Sequence, residues 1–233
     1  MNQKLYETVF NKVIQRVVDG TYPPGAMLPS EQDLGAELSV SQGTARKALA
    51  ELEQKGIIER RQGKGSFVTL RTPESSLFHF FRLRNADGEQ VTPKLETETV
   101  SRRKSTARER QTLFGAPEHV FEIRRTRSYL GAPLCDEVSV VSSVLFPGLM
   151  ERSPLPNALY VLFQQAYSCI IIRAEENLTA DLSTPDIAKH LGIAVGQPVM
   201  TARRKSYDLL DRIVELRSTT FSTHDKTYFV SLK

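Results

Sequence analysis

The chain has 233 residues, of which 25% are charged, with a net charge of +4, a pI near 9.1 and only two cysteines. That length suits one large or two small domains, each able to bury a core. No apolar run approaches a membrane span, the N-terminus has no signal-peptide stretch, and Cys135 and Cys169 lie far apart in sequence without ligand spacing and read most simply as small core residues in a reducing compartment. A cytoplasmic protein without a cofactor is expected, its mild basicity permitting a nucleic-acid partner without requiring one.

In chain order, Leu5, Val9, Phe10, Val13, Ile14, Val17 and Val18 recur at helical spacing until Gly20. After the turn Tyr22-Pro23-Pro24-Gly25, Ala26-Met27-Leu28 can pair briefly as an extended segment. Ser30 then caps a helix, with Asp33 placed to reach back to it, and Ser41 caps another only a few residues after the first ends. Two short helices joined so tightly must cross steeply, with Leu34, Leu38, Ala45, Leu49 and Leu52 packed behind them. The pattern predicts a helix-turn-helix whose second helix, from about Gln42 to Lys55, reads DNA and stops at Gly56. Ile57 to Arg61 and Ser66 to Val68 are strands around the tip Gln62-Gly63-Lys64-Gly65, a basic hairpin that serves as a wing. Residues 1–70 hold nine Lys and Arg against eight Asp and Glu (9 − 8 = +1), yet six of those cations, Arg46, Lys47, Lys55, Arg60, Arg61 and Lys64, fall within nineteen residues. A locally basic face beside a neutral back is what phosphate neutralisation needs.

The motifs Leu28-Pro29-Ser30-Glu31, Val40-Ser41, Arg46-Lys47-Ala48-Leu49, Leu52-Glu53, Gly56 and Arg61 to Val68 closely resemble the winged helix-turn-helix of the GntR family of bacterial transcription regulators. The resemblance implies DNA contacts from Arg46 and Lys47, from Ser41, Gln42 and Thr44 at the start of the reading helix, and from Gln32 before it. Gly63, Lys64 and Gly65 would lay the wing along the minor groove. Gln32 and Gln42-Gly43 depart from the family's usual residues at DNA-facing positions, so a different base preference is expected. Gly43 also costs roughly 1 kcal/mol of helix propensity relative to Ala.

Residues 71–76 have no periodicity and suit a linker, which divides the chain into a DNA-binding domain at 1–70 and a second domain at 77–233. The second domain reads as strands at Leu77 to Arg84, Lys94 to Arg103, Val120 to Tyr129, Cys135 to Val144 and Cys169 to Ala180, with helices at Ser105 to Phe114 and Asn157 to Tyr167. Thr184-Pro185-Asp186 opens a further short helix. A weak repeat matches helix, Gly115, Phe121 to Arg125 and a return strand to helix, Gly192, Met200 to Arg204 and Ile213 to Thr223, with the second turn one residue longer. Hairpins with helices between them predict an antiparallel α+β domain. This half resembles the UTRA effector domain of HutC-type GntR regulators, which implies a chorismate-lyase-like fold, a homodimer and a small-molecule effector.

Alternation on the third strand places Arg125 and Arg127 on the apolar face that Phe121 and Ile123 begin. Buried guanidiniums need an anion, either a carboxylate such as Glu137 in an ion-pair network or a bound ligand. The resemblance implies a ligand pocket with two arginines two apart and a glutamate ten residues on, which falls on Arg125, Arg127 and Glu137. Arg82, Arg84, Arg173 and Glu215 are further candidates for that pocket, and Phe221 stands where the family commonly has Tyr. The Ser/Thr-rich segment of phosphosugar sensors is missing, so a carboxylate effector with an apolar body is expected. His79, His119, His190 and His224 show no metal spacing, and Gly63-Lys64-Gly65 lacks the setting of a nucleotide loop.

The residues point to a DNA-binding repressor, not an enzyme, released by a small anionic metabolite through the linker near Thr72-Pro73. Two rivals make different demands. A DNA-tethered enzyme of the chorismate-lyase type would turn over chorismate, and a non-specific architectural binder would hold random duplexes as tightly as its own promoter.

Overall fold

The computed structural model describes residues 5–70, 81–224 and 226–231. The expected linker, with Thr72-Pro73, and the expected strand positions Phe78, His79 and Phe80 lie outside the described residues.

The first helix, α1 (Leu5–Val18), buries Val9, Val13, Ile14 and Val17 along one stripe. At α2 (Glu31–Glu37), the Ser30 hydroxyl accepts from the Asp33 N–H while the Asp33 carboxylate accepts from the Ser30 N–H, so two free donors of the first turn are satisfied at once. Ser39, in the left-handed region at φ 55°, turns the chain into α3 (Gln42–Gln54), where Ser41 accepts from the Thr44 N–H. The two helices approach so closely that a Cβ on Gly35 would lie 3.0 Å from the Val40 carbonyl oxygen. That contact is with backbone and cannot swing away, so any side chain at Gly35 would have to push the turn aside by a few tenths of an ångström.

The wing strands β1 (Ile58–Arg61) and β2 (Gly65–Val68) pair antiparallel, and Ala26 to Leu28 joins them through Leu28 N–H to Ser66 O and Val68 N–H to Ala26 O, both at 2.8 Å. The second half comprises β3 (Leu83–Arg84), β4 (Lys94–Lys104), α4 (Ala107–Thr112), β5 (His119–Tyr129), β6 (Ala132–Ser142), a 3-10 turn at Met150–Arg152, α5 (Leu159–Tyr167), β7 (Ile171–Leu182), α6 (Pro185–Leu191), β8 (Pro198–Asp208), β9 (Ile213–Phe221) and β10 (Thr227–Tyr228). Of the strand expected from Leu77 to Arg84, the described residues 81–84 hold β3, paired with β10.

The large sheet runs β4-β5-β6-β9-β8-β7, every pair antiparallel. Its order is symmetric. The unit β4-α4-β5-β6 is answered by β7-α6-β8-β9, and the two units meet where β6 pairs with β9. Each small helix is opened by a threonine cap, Thr106 or Thr184, and followed by a left-handed glycine, Gly115 or Gly192. The faint repeat in the sequence is thus one sheet built twice. The turns differ by two residues rather than the expected one, Leu130–Gly131 against Leu209 to Arg212.

One face of the sheet is covered by α5, whose Phe163 meets Phe146 at 4.3 Å between ring centroids over Ile123, Val141 and Val214. The two halves of the chain also touch. Ile170 and Leu209 pack into the core of the first, and the Gln164 amide, on α5, donates to the Thr69 carbonyl at 2.9 Å. Among the described residues, no helix is long and apolar enough to cross a membrane.

Candidate functional site

The residues expected to meet DNA lie on the outer surface of the first domain. Gln32, Ser41, Gln42, Arg46, Lys47, Gly63, Lys64 and Gly65 are exposed and Thr44 is half-buried. Gln32, Gln42 and the wing tip line one cleft with Arg60 and Arg61, while Ser41, Thr44 and Lys47 line a neighbouring hollow beside Tyr6. The wing tip turns through Gly63 at φ 69° and Gly65 at φ 111°, conformations that a side chain would strain. Arg46 gives its Nε to Glu31 Oε2 at 2.8 Å, and Lys47 Nζ stands 4.4 Å from the Tyr6 ring centroid. Thr44 shares a 2.8 Å hydrogen bond with the Ser41 hydroxyl, which ties its side chain to the helix cap.

In the second domain, the sheet and the start of α5 enclose a cavity with about 50 Å³ of free volume, room for several waters or the polar head of a small ligand. Five strands supply its polar wall: Arg127 from β5, Glu137 from β6, Glu176 from β7, Arg204 from β8 and Arg217 from β9. Phe81, Leu83, Leu159, Ala202, Phe221 and Tyr228 supply an apolar wall, and Phe221 and Tyr228 stack at 6.2 Å.

Glu137 joins the two halves of the polar wall, accepting from Arg127 at 3.1 Å and from Arg217 at 3.2 Å. Burial alone would push its carboxyl up, but the two guanidiniums outweigh that and hold it down at about 2. Arg217 also donates to Glu215 at 2.7 Å and lies 5.0 Å from the Tyr160 ring centroid, and its carboxylate partners push its pKa further up despite burial. Arg204 pairs with Glu176 at 2.7 Å. Asn157, before α5, accepts from Arg127 through its side-chain oxygen and donates to the Pro93 carbonyl at 2.9 Å. Arg127 Nε is buried without a hydrogen-bond partner among the described residues. The lining holds four arginines, counting Arg82 at the mouth, against two glutamates. With Glu215 behind Arg217, the excess is one positive charge (4 − 3).

Four expected pocket residues lie elsewhere. Arg125 shares its strand face with Arg127 but not the cavity. Its side chain has no exposed area, its Nε donates to Glu98 Oε2 at 2.9 Å, and its terminal nitrogens donate to the Pro156 and Asn157 carbonyls. Arg84 turns away to the Gly88 carbonyl at 2.8 Å and lies 3.7 Å from the Phe229 ring centroid. Arg173 is exposed, paired with Glu175 and Asp211 and set 3.5 Å from the Tyr207 ring centroid, because a register shift between Ile171 and Arg173 breaks the alternation that would have turned it inward. Glu215 lies behind the lining, where it accepts from Tyr160 at 2.6 Å, Ser206 at 2.8 Å and Arg217, and so orients two residues that do face the cavity.

Sequence reasoning missed Arg204, Arg217, Tyr160, Asn157 and Glu176. The repeat carried a signal for the first, since it matches Arg204 with Arg125. Alternation from Glu215 to Phe221 places Arg217 and Thr219 on the same face.

A winged helix-turn-helix joined to a sheet with a buried, cationic cavity defines a DNA-binding regulator with a ligand-receiving half. The model for bacterial regulatory proteins of the gntR family matches residues 5–68, and the UTRA domain model matches residues 90–225. The chain belongs to the GntR family of transcription regulators and carries a UTRA effector domain.

The chain is 28% identical over 230 residues to the HTH-type transcriptional regulator SmoD of Agrobacterium fabrum, covering 97% of this chain and 95% of that protein. It is 27% identical over 208 residues to the histidine utilization repressor of Pseudomonas putida, covering 87% and 82%. The crystal structure of a GntR-family ligand-binding domain from Bordetella bronchiseptica superimposes with a TM-score of 0.58 at 28% identity, covering 66% of this chain and 98% of that one. Among the described residues, no group of three or more His, Cys, Asp and Glu is placed to hold a metal ion.

Proposed function

We propose that this protein is a repressor of the HutC-type subgroup, bound as a homodimer to a near-palindromic operator and released when a small carboxylate fills the cavity. The observation that carries the reading is the single unbalanced positive charge around a half-apolar cavity. A monoanion with an apolar body would neutralise it and rest against Phe221 and Tyr228. The name of the Pseudomonas relative supports repression.

A thermal-shift screen of monocarboxylates beside their phosphorylated counterparts tests this. A true effector at one hundred times its dissociation constant adds about 2.7 kcal/mol of stability. The same compound must then displace the protein from its own promoter region. Stabilisation by phosphosugars alone, or binding that leaves DNA affinity untouched, overturns the reading.

On the DNA side, Arg46→Ala is expected to cost about 1–3 kcal/mol on the operator and to relax preference at one base pair. Lys64→Ala weakens all duplexes alike and flattens the salt dependence. Gel-shift titrations at several salt concentrations check both, and an Arg46→Ala variant that binds the operator like the parent removes Arg46 from the reading helix's contacts.

A further inference from the structure

Glu31, the first residue of α2, puts a carboxylate in the middle of the surface that faces DNA. Its side chain is 19% exposed, whereas the Arg46 side chain it holds is 62% exposed. Two cations from two elements meet on it: Arg46 Nε of α3 at 2.8 Å and an Arg60 terminal nitrogen of β1 at 3.3 Å. Arg60 is fixed in turn by Glu53 at 3.2 Å and by the Arg46 carbonyl at 3.4 Å. One carboxylate therefore links the helix before the turn, the reading helix and the wing.

An anion at this place repels phosphate, so by charge alone it opposes every duplex equally. What it supplies is geometry. An arginine reads guanine with two parallel N–H groups, and its long side chain otherwise samples many rotamers. Glu31 takes the Nε, the nitrogen nearest the stem, and leaves the far end of the guanidinium projecting from the surface. A pre-set fork loses less freedom on meeting its base than a free one.

We infer that Glu31 is a positioning residue for Arg46, one that sets sequence preference at the base pair Arg46 reads while lowering affinity for DNA in general. The inference rests on Arg46 making that base contact. An acid in the first turn also favours the helix dipole, but that effect appears in a melting curve and distinguishes no DNA sequences.

The test compares the parent protein, Glu31→Gln, Glu31→Ala, Arg46→Ala and the double variant Glu31→Gln/Arg46→Ala. Each is titrated against a duplex that the parent selects from a randomised pool and against a scrambled duplex of equal length. Glu31→Gln keeps the size of the side chain and guards against a folding defect, which melting curves of all five proteins monitor. For both Glu31 variants, binding to the scrambled duplex should be unchanged or up to threefold tighter. Binding to the selected duplex should weaken, so that the ratio falls about tenfold or more, with the loss concentrated at the base pair to which Arg46→Ala becomes indifferent. In the double variant, Glu31→Gln should remove no further selectivity once Arg46 is gone.

Equal changes on both duplexes, or an additive loss in the double variant, overturn the positioning role while leaving Arg46 as a reader. An Arg46→Ala variant with unaltered selectivity overturns the base contact itself, and the positioning role with it.

Discussion

Replacing Glu137 by alanine is expected to lower folding stability by about 3–5 kcal/mol, the usual cost of stranding a buried charge, here Arg127, since Arg217 keeps its second carboxylate, Glu215. Arg127 and Arg217 would both lose the carboxylate between them while remaining buried, at side-chain exposures of 3% and 12%. Stability should also depend on pH. The Glu137 carboxyl is held at about 2 in the folded protein against an ordinary value of 4.5. A carboxylate whose pKa is lowered by folding contributes fully above its unfolded value and loses that contribution as pH falls, here between about 4.5 and 2. Glu137→Gln keeps the shape and should remove this acid-side loss. Chemical denaturation of the three proteins between pH 3 and 7 measures both effects. An alanine variant within about 1 kcal/mol of the parent would show that Glu137 does not hold the arginines in place.

Arg125→Ala should be nearly as damaging, again by about 3–5 kcal/mol, because it leaves Glu98, at 7% side-chain exposure, facing no cation. It also removes donors from the Pro156 and Asn157 carbonyls, just before the helix that closes the cavity. Were Arg125 a ligand contact, as the family resemblance implies, its loss would instead leave a stable protein that no longer responds to its effector. Melting curves without ligand separate the two, since a thermally normal but unresponsive Arg125→Ala would return this residue to the ligand site. The pair can also be replaced together. Arg125→Met with Glu98→Leu should recover much of the loss, because volume-matched apolar substitution of a buried ion pair is often neutral or better.

Much of the first domain was legible because its signals are local. Caps at Ser30 and Ser41, the glycine stop at Gly56 and the glycine-bearing wing tip each act within a few residues. Gly35 was not, since its close contact is with the Val40 backbone across the helix crossing. In the second domain, period-2 alternation correctly turned Arg125 and Arg127 inward, but alternation gives a face and not a neighbour. Which arginine reaches the cavity depends on Glu98, opposite Arg125 on the neighbouring strand β4, and on the chain before α5, neither of which the β5 sequence specifies. Arg173 shows the remaining weakness, as a single shift in strand register reverses every inward assignment that follows it.

The central seam of the sheet has a kinetic consequence. Glu137 and Arg217 are 80 residues apart in the chain, and they meet only when β6 pairs with β9, after both hairpins exist. Contacts of such separation form late, because the intervening loop must be closed before they give any return. Refolding should therefore build the two hairpin units quickly and close the seam slowly. Until it closes, neither unit alone has both arginines around the carboxylate, so the capacity to take up ligand should appear with the slowest phase of refolding.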